Sequence, residues 1–229
     1  MTFTEELRAA NHDMYEMIFQ HPFVTGIGRG NLPTEAVAHY VKADFEYLNA
    51  FMKIYALALS KADNRADIQY FHETMGFTLN DETEAHLNFC DYLGVSYKAM
   101  QQYPLPPTAD HYVKHMLYHA YSGTLGEIYA ALLPCPWTYL EIGQVLLDQY
   151  KPETTHPFYR WISFYANTDS AAFTDGLRAR LDTYAAAASP AEKKRMHDAF
   201  RKSCQLELGF WEMAWTCETW PSVKGVLTT

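Results

Sequence analysis

Apolar side chains recur every three or four residues along almost the whole chain, which is the spacing that buries one face of an α-helix. No stretch alternates apolar and polar residues cleanly between turn residues, as a half-buried strand would. The pattern therefore predicts an all-α protein, a single-domain helical bundle of about eight helices over residues 1–229. The predicted helices cover residues 2–20, 33–60, 66–93, 108–133, 135–150, 157–167, 170–186 and 189–219.

Residues typical of helix ends support these limits. Thr2 with Glu5, and Ser189 with Glu192, have the spacing of a capping box, in which two side chains satisfy the first free N–H groups of a helix. Gly94 follows the third predicted helix, where a residue with positive φ often ends a helix. Three glycines after the first predicted helix indicate a loop. The predicted N-caps are Thr2, Thr108, Cys135 and Ser189.

The composition limits the class of protein. Of the 229 residues, 48% are hydrophobic and 20% are charged, which is enough apolar surface to form one core. The formal net charge of -9 has the wrong sign for attraction to a phosphate backbone, so we expect no nucleic-acid partner. Four cysteines without a C-x-x-C pair are expected to be free thiols.

No membrane or export segment is predicted. The longest apolar stretch, 128–137, spans ten residues and includes two prolines, whereas a membrane helix needs about 20 residues. The first residues lack the basic region and apolar run of a signal peptide. We therefore expect no membrane partner and a cytoplasmic location.

The most informative residue is Cys135, which lies between Pro134 and Pro136 at the start of a predicted helix. The free N–H groups and the macrodipole of a helix N-terminus stabilise a thiolate. This effect, up to about 1 kcal/mol, lowers the pKa of a thiol by only about 0.7 units. A nucleophilic Cys135 therefore needs a carboxylate or another base nearby. The alternative interpretation is a small buried apolar side chain.

Two acidic residues lie in aromatic stripes of the predicted helices. Asp44 shares a helix face with Tyr47, and Glu207 shares one with Phe210. A buried acid must have a partner, so each is either a hydrogen-bonded core acid or a group that binds a ligand. Together with Cys135, the two acids favour a flat, nitrogen-containing ligand that is stacked and hydrogen-bonded inside the bundle.

Metal sites receive less support. His111, His115 and His119 share one helix face and are able in principle to bind a metal, but a partly exposed polar face is the simpler interpretation. A di-iron bundle needs two Glu-x-x-His motifs, and the single one in this sequence, from Glu153 to His156, lies in a proline-flanked loop. The sequence therefore disfavours a metal cofactor.

Two segments, 132–143 and 207–214, resemble the TenA family, also called thiaminase II. The resemblance extends over nearly the whole chain, from about Thr4 to Trp220, and the cysteine places the chain with the cysteine-containing branch. It implies the haem-oxygenase-like helical bundle, assembled as a homotetramer. It also implies a hydrolase of thiamin-derived aminopyrimidines that uses no cofactor.

Taken residue by residue, the resemblance implies that Cys135 is the nucleophile and that Glu207 is the general acid and base. The substrate-binding residues that it implies are Asp44, Tyr47, Tyr112, Tyr139, Tyr165 and Phe210. The implied reaction converts 4-amino-5-aminomethyl-2-methylpyrimidine to 4-amino-5-hydroxymethyl-2-methylpyrimidine. A formylated precursor and thiamin share the same ring, so the sequence leaves the preferred substrate open.

Two other functions remain open at this stage. The bundle can bind a pyrimidine or a partner as a regulatory protein without catalysis, a role also credited to the family. A melting-temperature shift with a pyrimidine but no ammonia release would favour this function. The bundle can also hold haem or iron with histidine ligands, which an absorption spectrum and a metal analysis would reveal.

Overall fold

The computed structural model describes residues 1–80 and 83–221, without the side chains of residues 77, 78, 80 and 83. The described residues form twelve α-helices, one 3₁₀ helix (Tyr97–Met100) and no strand, which confirms the all-α class. The α-helices are α1 Phe3–Ala10, α2 His12–Phe19, α3 Pro22–Arg29, α4 Thr34–Ser60, α5 Arg65–Asn80, α6 Thr83–Leu93, α7 Pro107–Ser122, α8 Leu125–Leu132, α9 Pro134–Tyr150, α10 Tyr159–Tyr165, α11 Thr168–Ala187 and α12 Pro190–Thr216.

Both predicted capping boxes are present. The Thr2 hydroxyl accepts from the N–H of Glu5, and the Glu5 carboxylate accepts from the N–H of Thr2. Ser189 and Glu192 make the same reciprocal pair at the start of α12. Gly94 follows α6 with φ +67°, a conformation that glycine adopts without steric strain. These ends are predictable because they depend on residues close together in the sequence.

The predicted loop after the first helix is wrong, because α3 occupies most of it. His21 caps α3 by accepting from the N–H of Phe23, and Pro22 takes the first helical position. A Cβ on Gly28 would lie 2.4 Å from the ring of Tyr150. The glycine therefore permits close packing between α3 and α9 and does not mark a turn.

The predicted number of about eight helices is too low, because α3 occupies a predicted loop and two long predicted helices are interrupted. The first breaks at Asn11 into α1 and α2, and the fourth breaks at Gly123 into α7 and α8. Thr124 begins α8 by accepting from the N–H of Glu127. The third predicted helix corresponds to α5 and α6, and residues 81 and 82 between them lie outside the described residues.

Two of the four predicted N-caps are wrong. The helix α7 begins at Pro107, so Thr108 is its second residue. The helix α9 begins at Pro134, so Cys135 is likewise its second residue. Proline suits the first helical position because its missing N–H has no partner there in any case. The observed N-caps are Pro106 and Leu133, so both helix starts lie two residues closer to the N-terminus than predicted.

The core is centred on α12, which packs against α4, α7, α8 and α9. Trp211 of α12 is fully buried and stacks on Tyr40 of α4, with ring planes 9° apart and centroids 5.5 Å apart. Trp161 of α10 is also fully buried and lies 6.4 Å from Trp211. Because each large ring buries about 150–250 Å², these contacts fix α4, α10 and α12 relative to one another.

Within the described part of the chain, no helix combines the length and the hydrophobicity needed to cross a bilayer. All four cysteines are free thiols, as expected from their spacing. Cys90 and Cys204 are buried, whereas Cys135 and Cys217 are partly exposed.

Candidate active site

The eight predicted site residues lie on five helices and interact with one another through ring contacts, hydrogen bonds and electrostatics. Asp44 and Tyr47 are on α4, Tyr112 is on α7, Cys135 and Tyr139 are on α9, Tyr165 is on α10, and Glu207 and Phe210 are on α12. The fold therefore brings together residues that are up to 166 positions apart in the sequence, from 44 to 210.

A narrow cavity lies beside Cys135. Aromatic side chains form most of its wall, namely Phe51, Tyr55, Tyr139, Phe164, Tyr165 and Phe173. The cavity volume of about 40 Å³ is enough for about three water molecules. One aromatic ring with substituents needs more room than this, so wall side chains must move apart when such a ring enters.

Cys135 lies in a stiff first turn of α9. Pro134 and Pro136 have no N–H, so Cys135 provides the one backbone donor among the first three residues of the helix. The Thr138 hydroxyl donates to the carbonyl oxygen of Cys135 at 3.1 Å. The side chain of Cys135 lines the cavity. The helix start thus presents the thiol to the cavity from a backbone with little freedom.

Glu207 is buried, with 2% exposure, and its Oε2 lies 3.3 Å from the Thr138 hydroxyl, whose single proton is shared between this oxygen and the Cys135 carbonyl. The Cys135 thiol is in hydrogen-bonding contact with the same carboxylate. Burial is the main cause that raises the pKa of Glu207 to about 7, and the charge of Asp44 adds to this rise. Contacts from Cys135, Thr138 and Tyr112 act in the opposite direction. At neutral pH this carboxyl group can therefore both accept and donate a proton.

Asp44, with 5% exposure, has a buried partner that the sequence analysis missed. His86 of α6 places Nε2 2.7 Å from Oδ2 of Asp44 and Nδ1 2.8 Å from the hydroxyl of Tyr97. One sequence signal was present: His86 precedes the apolar residues Phe89 and Cys90 by three and four positions, so it lies on the buried face of α6.

Aromatic rings form two groups around the acid. Tyr47 packs against Tyr112 and Phe210, with centroids 5.1 and 5.3 Å away. Tyr139 packs against Tyr165 at 4.8 Å. The charge of the Glu207 carboxylate raises the pKa of a tyrosine in each group, which places the acid near both. The rings offer flat apolar surfaces on either side of the reactive groups.

The tyrosine hydroxyls of this site remain protonated. Burial raises the pKa of Tyr47, Tyr112 and Tyr139 well above the ordinary value for tyrosine. The Tyr139 hydroxyl is 2.8 Å from that of Tyr40. The buried Tyr112 hydroxyl lies next to the Glu207 carboxylate and lowers the pKa of that acid.

Gly143 allows α10 to approach α9. A Cβ at this position would lie 2.7 Å from the backbone nitrogen of Ala166 and 2.9 Å from the carbonyl carbon of Tyr165. Real Cβ atoms essentially never come so close to backbone atoms. The glycine therefore sets the short distance between Tyr165 and Tyr139.

The three histidines of α7 have other partners. His115 Nε2 is 3.1 Å from the hydroxyl of Ser203, and His119 Nδ1 is 3.4 Å from Oε2 of Glu127. His111 is exposed. Burial lowers the pKa of His115 to about 4. Over residues 1–80 and 83–221, no three His, Cys, Asp or Glu side chains are arranged to hold a metal ion. This helix face is partly exposed, as the sequence indicated, with His111 exposed and His119 buried.

The arrangement suits nucleophilic chemistry on a flat heterocycle. The Cys135 thiol and the Glu207 carboxyl group form a pair in which the acid can take the thiol proton. Asp44 and Tyr112 are a buried acid and a buried hydroxyl close to this pair, and both affect the pKa of Glu207. The helix dipole alone lowers the pKa of the thiol too little to ionise it at neutral pH. Glu207 is the nearby carboxyl group that can act as the base for Cys135.

Comparisons with known proteins agree with this architecture. Residues 6–217 match the model of the TENA/THI-4/PQQC family. The chain is 34% identical over 224 residues to the aminopyrimidine aminohydrolase of Staphylococcus saprophyticus, and the match covers 96% of each chain.

Solved structures extend the comparison to the fold. The TenA homologue protein from P. horikoshii OT3 superposes with a TM-score of 0.84 at 27% identity, over 94% of this chain and 99% of that one. A domain of unknown function from Shewanella denitrificans, described as having a heme oxygenase-like fold, has a TM-score of 0.70 at 11% identity over 93% and 92% of the two chains. With its fold and most of its length matched, the chain belongs to the TENA/THI-4/PQQC family.

Proposed function

We propose that this protein is an aminopyrimidine aminohydrolase, or thiaminase II, that hydrolyses a C–N bond by cysteine nucleophilic catalysis. The names of its curated relatives support a hydrolase of this class. One structural observation carries the mechanism: the Cys135 thiol contacts Glu207, a buried acid whose pKa is raised to about 7.

The proposed substrate is 4-amino-5-aminomethyl-2-methylpyrimidine, and the reaction begins when Glu207 accepts the thiol proton of Cys135. The thiolate adds to an electron-poor ring carbon. The electron pair then moves through the ring and breaks the C–N bond of the 5-aminomethyl group, whose amine leaves as ammonia with the proton that Glu207 returns. An exocyclic methylene group remains on the ring.

Water completes the reaction by adding its oxygen to this methylene carbon. The ring then regains aromaticity by expelling the Cys135 thiolate, and the proton from water restores the initial state of the site. The sum is one aminomethyl group and one water converted to one hydroxymethyl group and one ammonia. These steps need no cofactor.

The remaining site residues bind and orient the ring. Asp44 accepts hydrogen bonds from the amino group of the pyrimidine, and the hydroxyls of Tyr112 and Tyr165 bond to its other polar atoms. Tyr47, Tyr139 and Phe210 pack against the ring. This set is supported by the contacts that link these residues to Cys135 and Glu207. Thiamin carries the same pyrimidine, and its thiazolium would leave in place of ammonia.

The test is the steady-state rate of ammonia release for Cys135→Ser. We expect kcat/KM to fall at least about 1,000-fold, because a hydroxyl is a far poorer nucleophile than a thiolate near neutral pH. Cys217→Ser changes a partly exposed thiol at the end of α12 and is the matched control, expected to keep wild-type turnover.

Two outcomes contradict the proposal. Wild-type turnover by Cys135→Ser would exclude the covalent mechanism. A wild-type protein that releases neither ammonia from the aminopyrimidine nor thiazole from thiamin, yet melts at a higher temperature with the pyrimidine, would be a binding or regulatory protein.

A further inference from the structure

His86 is a buried histidine that no step of the proposed reaction uses, although it contacts Asp44 directly. Its Nε2 lies 2.7 Å from Oδ2 of Asp44, and its Nδ1 lies 2.8 Å from the hydroxyl of Tyr97. The side chain of His86 is only 1% exposed. Because water has little access to this histidine, the protein itself must satisfy both of its ring nitrogens.

The partners restrict where the hydrogens lie. A carboxylate can only accept, so His86 Nε2 donates to Asp44 whether the imidazole is neutral or charged. In the neutral imidazole Nδ1 accepts the O–H of Tyr97, and in the charged imidazole Nδ1 donates to the Tyr97 oxygen. In both states Oδ2 of Asp44 is occupied by His86, which leaves Oδ1 for the hydrogen bond to substrate that the proposed function assigns to Asp44.

Aromatic contacts fix the orientation of the imidazole. The ring of Tyr40 lies 6.4 Å from that of His86 at an interplanar angle of 75°, and the ring of Tyr97 lies 5.3 Å from it. Tyr97 is in turn packed edge-on against Phe45 at 5.7 Å. Because these contacts hold the His86 imidazole in one orientation, its Nε2–H points in one direction. The hydrogen bond along this direction sets the position of the Asp44 carboxylate.

We infer that His86 is a positioning residue, which holds Asp44 so that Oδ1 accepts a hydrogen bond from the amino group of the aminopyrimidine. The inference rests on the proposed function and adds to it the residue that orients the substrate-binding acid. Loss of the bond from His86 lets the carboxylate rotate away from the substrate amine. Substrate and product affinity then decrease, while Cys135 and Glu207 are unaltered.

A matched pair of variants tests this role. Glutamine at position 86 can place an amide N–H near the position of Nε2, whereas asparagine is shorter and reaches only the position of Nδ1. We expect His86→Asn to raise KM for the aminopyrimidine by about 10- to 100-fold, the range for losing a hydrogen bond to a charged group. His86→Gln is expected to stay within about fivefold of wild type, and kcat should change less than KM in both variants.

The effect must act through Asp44. In an Asp44→Asn background, the difference between His86→Asn and His86→Gln should disappear, since the group being positioned is gone. His21→Asn is the control: His21 is also buried and bonds to a carboxylate, Glu212, at 3.1 Å. It should leave KM and kcat within about twofold of wild type.

Calorimetric binding of the hydroxymethyl pyrimidine product provides a readout independent of turnover. Weaker product binding by His86→Asn than by His86→Gln supports the inference. Equal KM and equal product affinity in the two variants, or a difference that persists without Asp44, would overturn it and leave the proposed function intact. Absence of both turnover and product binding in the wild type would overturn the proposed function, and this inference with it.

Discussion

Replacing Glu207 by glutamine removes a buried acid that is unfavourable to ionise. Burial raises the pKa of Glu207 from 4.5 to about 7. Each pKa unit corresponds to about 1.36 kcal/mol, so ionising Glu207 in the folded protein costs about 3 kcal/mol more than in the unfolded chain. Glutamine has nearly the same shape and can still accept from the Thr138 hydroxyl, but it carries no charge at any pH.

The direction of the effect on stability follows from the direction of the pKa change. The folded protein binds the Glu207 proton more tightly than the unfolded chain does, so this contribution is fully present below pH 4.5 and is lost as the pH rises through about 7. Between pH 5 and pH 8, the free energy of unfolding of the wild type should therefore fall by about 2–3 kcal/mol relative to Glu207→Gln. At this chain length the change corresponds to about 5–10 °C in Tm.

Urea unfolding at pH 5, 6, 7 and 8, followed by tryptophan fluorescence, measures this difference. Asp198→Asn is the control, because Asp198 is an exposed acid on the same helix and pairs with Lys194. It should change the free energy of unfolding by less than about 0.5 kcal/mol at every pH. If the wild-type and Glu207→Gln values stay parallel from pH 5 to pH 8, the pKa of Glu207 is not raised and the reasoning fails.

Two further expectations follow from the site. The kcat/KM for the aminopyrimidine should decrease as the pH falls below an apparent pKa of about 7, by about tenfold per pH unit, because protonated Glu207 cannot accept the Cys135 proton. A pH–rate profile that is flat from pH 5 to 8 would contradict this. Gly143→Ala should lower the free energy of unfolding by about 1–3 kcal/mol and reduce turnover, since the new Cβ meets backbone atoms of α10. Gly76→Ala, where a Cβ would meet no atom of the described residues within 4 Å, should be neutral or slightly stabilising by thermal unfolding.

The fold class and several helix ends were predictable because they depend on short-range information. The capping boxes at Thr2 and Ser189 involve groups three residues apart, and both form as predicted. The errors arise where long-range packing decides. Gly28 indicates a loop when only its neighbours in the sequence are considered, yet it lies in α3, where its missing side chain permits close packing against Tyr150, far along the chain.

In the candidate site, too, short-range contacts could be predicted from the sequence and long-range contacts could not. Pairs on one helix, such as Asp44 with Tyr47, could be derived from helical spacing alone. That these residues from five helices form one site was implied by the family resemblance, since spacing within a helix contains no information about which helices contact one another. His86 was missed because its role depends on a pair with Asp44, 42 residues away, which no local pattern predicts.

All eight proposed site residues, and His86 with them, belong to regular helices, and none lies in a connecting segment. Lengthening or exchanging the connections between helices, apart from the 3₁₀ segment that contains Tyr97, should therefore leave the proposed pyrimidine pocket unchanged. New substrate preferences would have to arise by single replacements along the inner helix faces. In a core packed this closely, each replacement also affects a neighbouring ring, so the preferred substrate and the packing of the bundle are expected to change together.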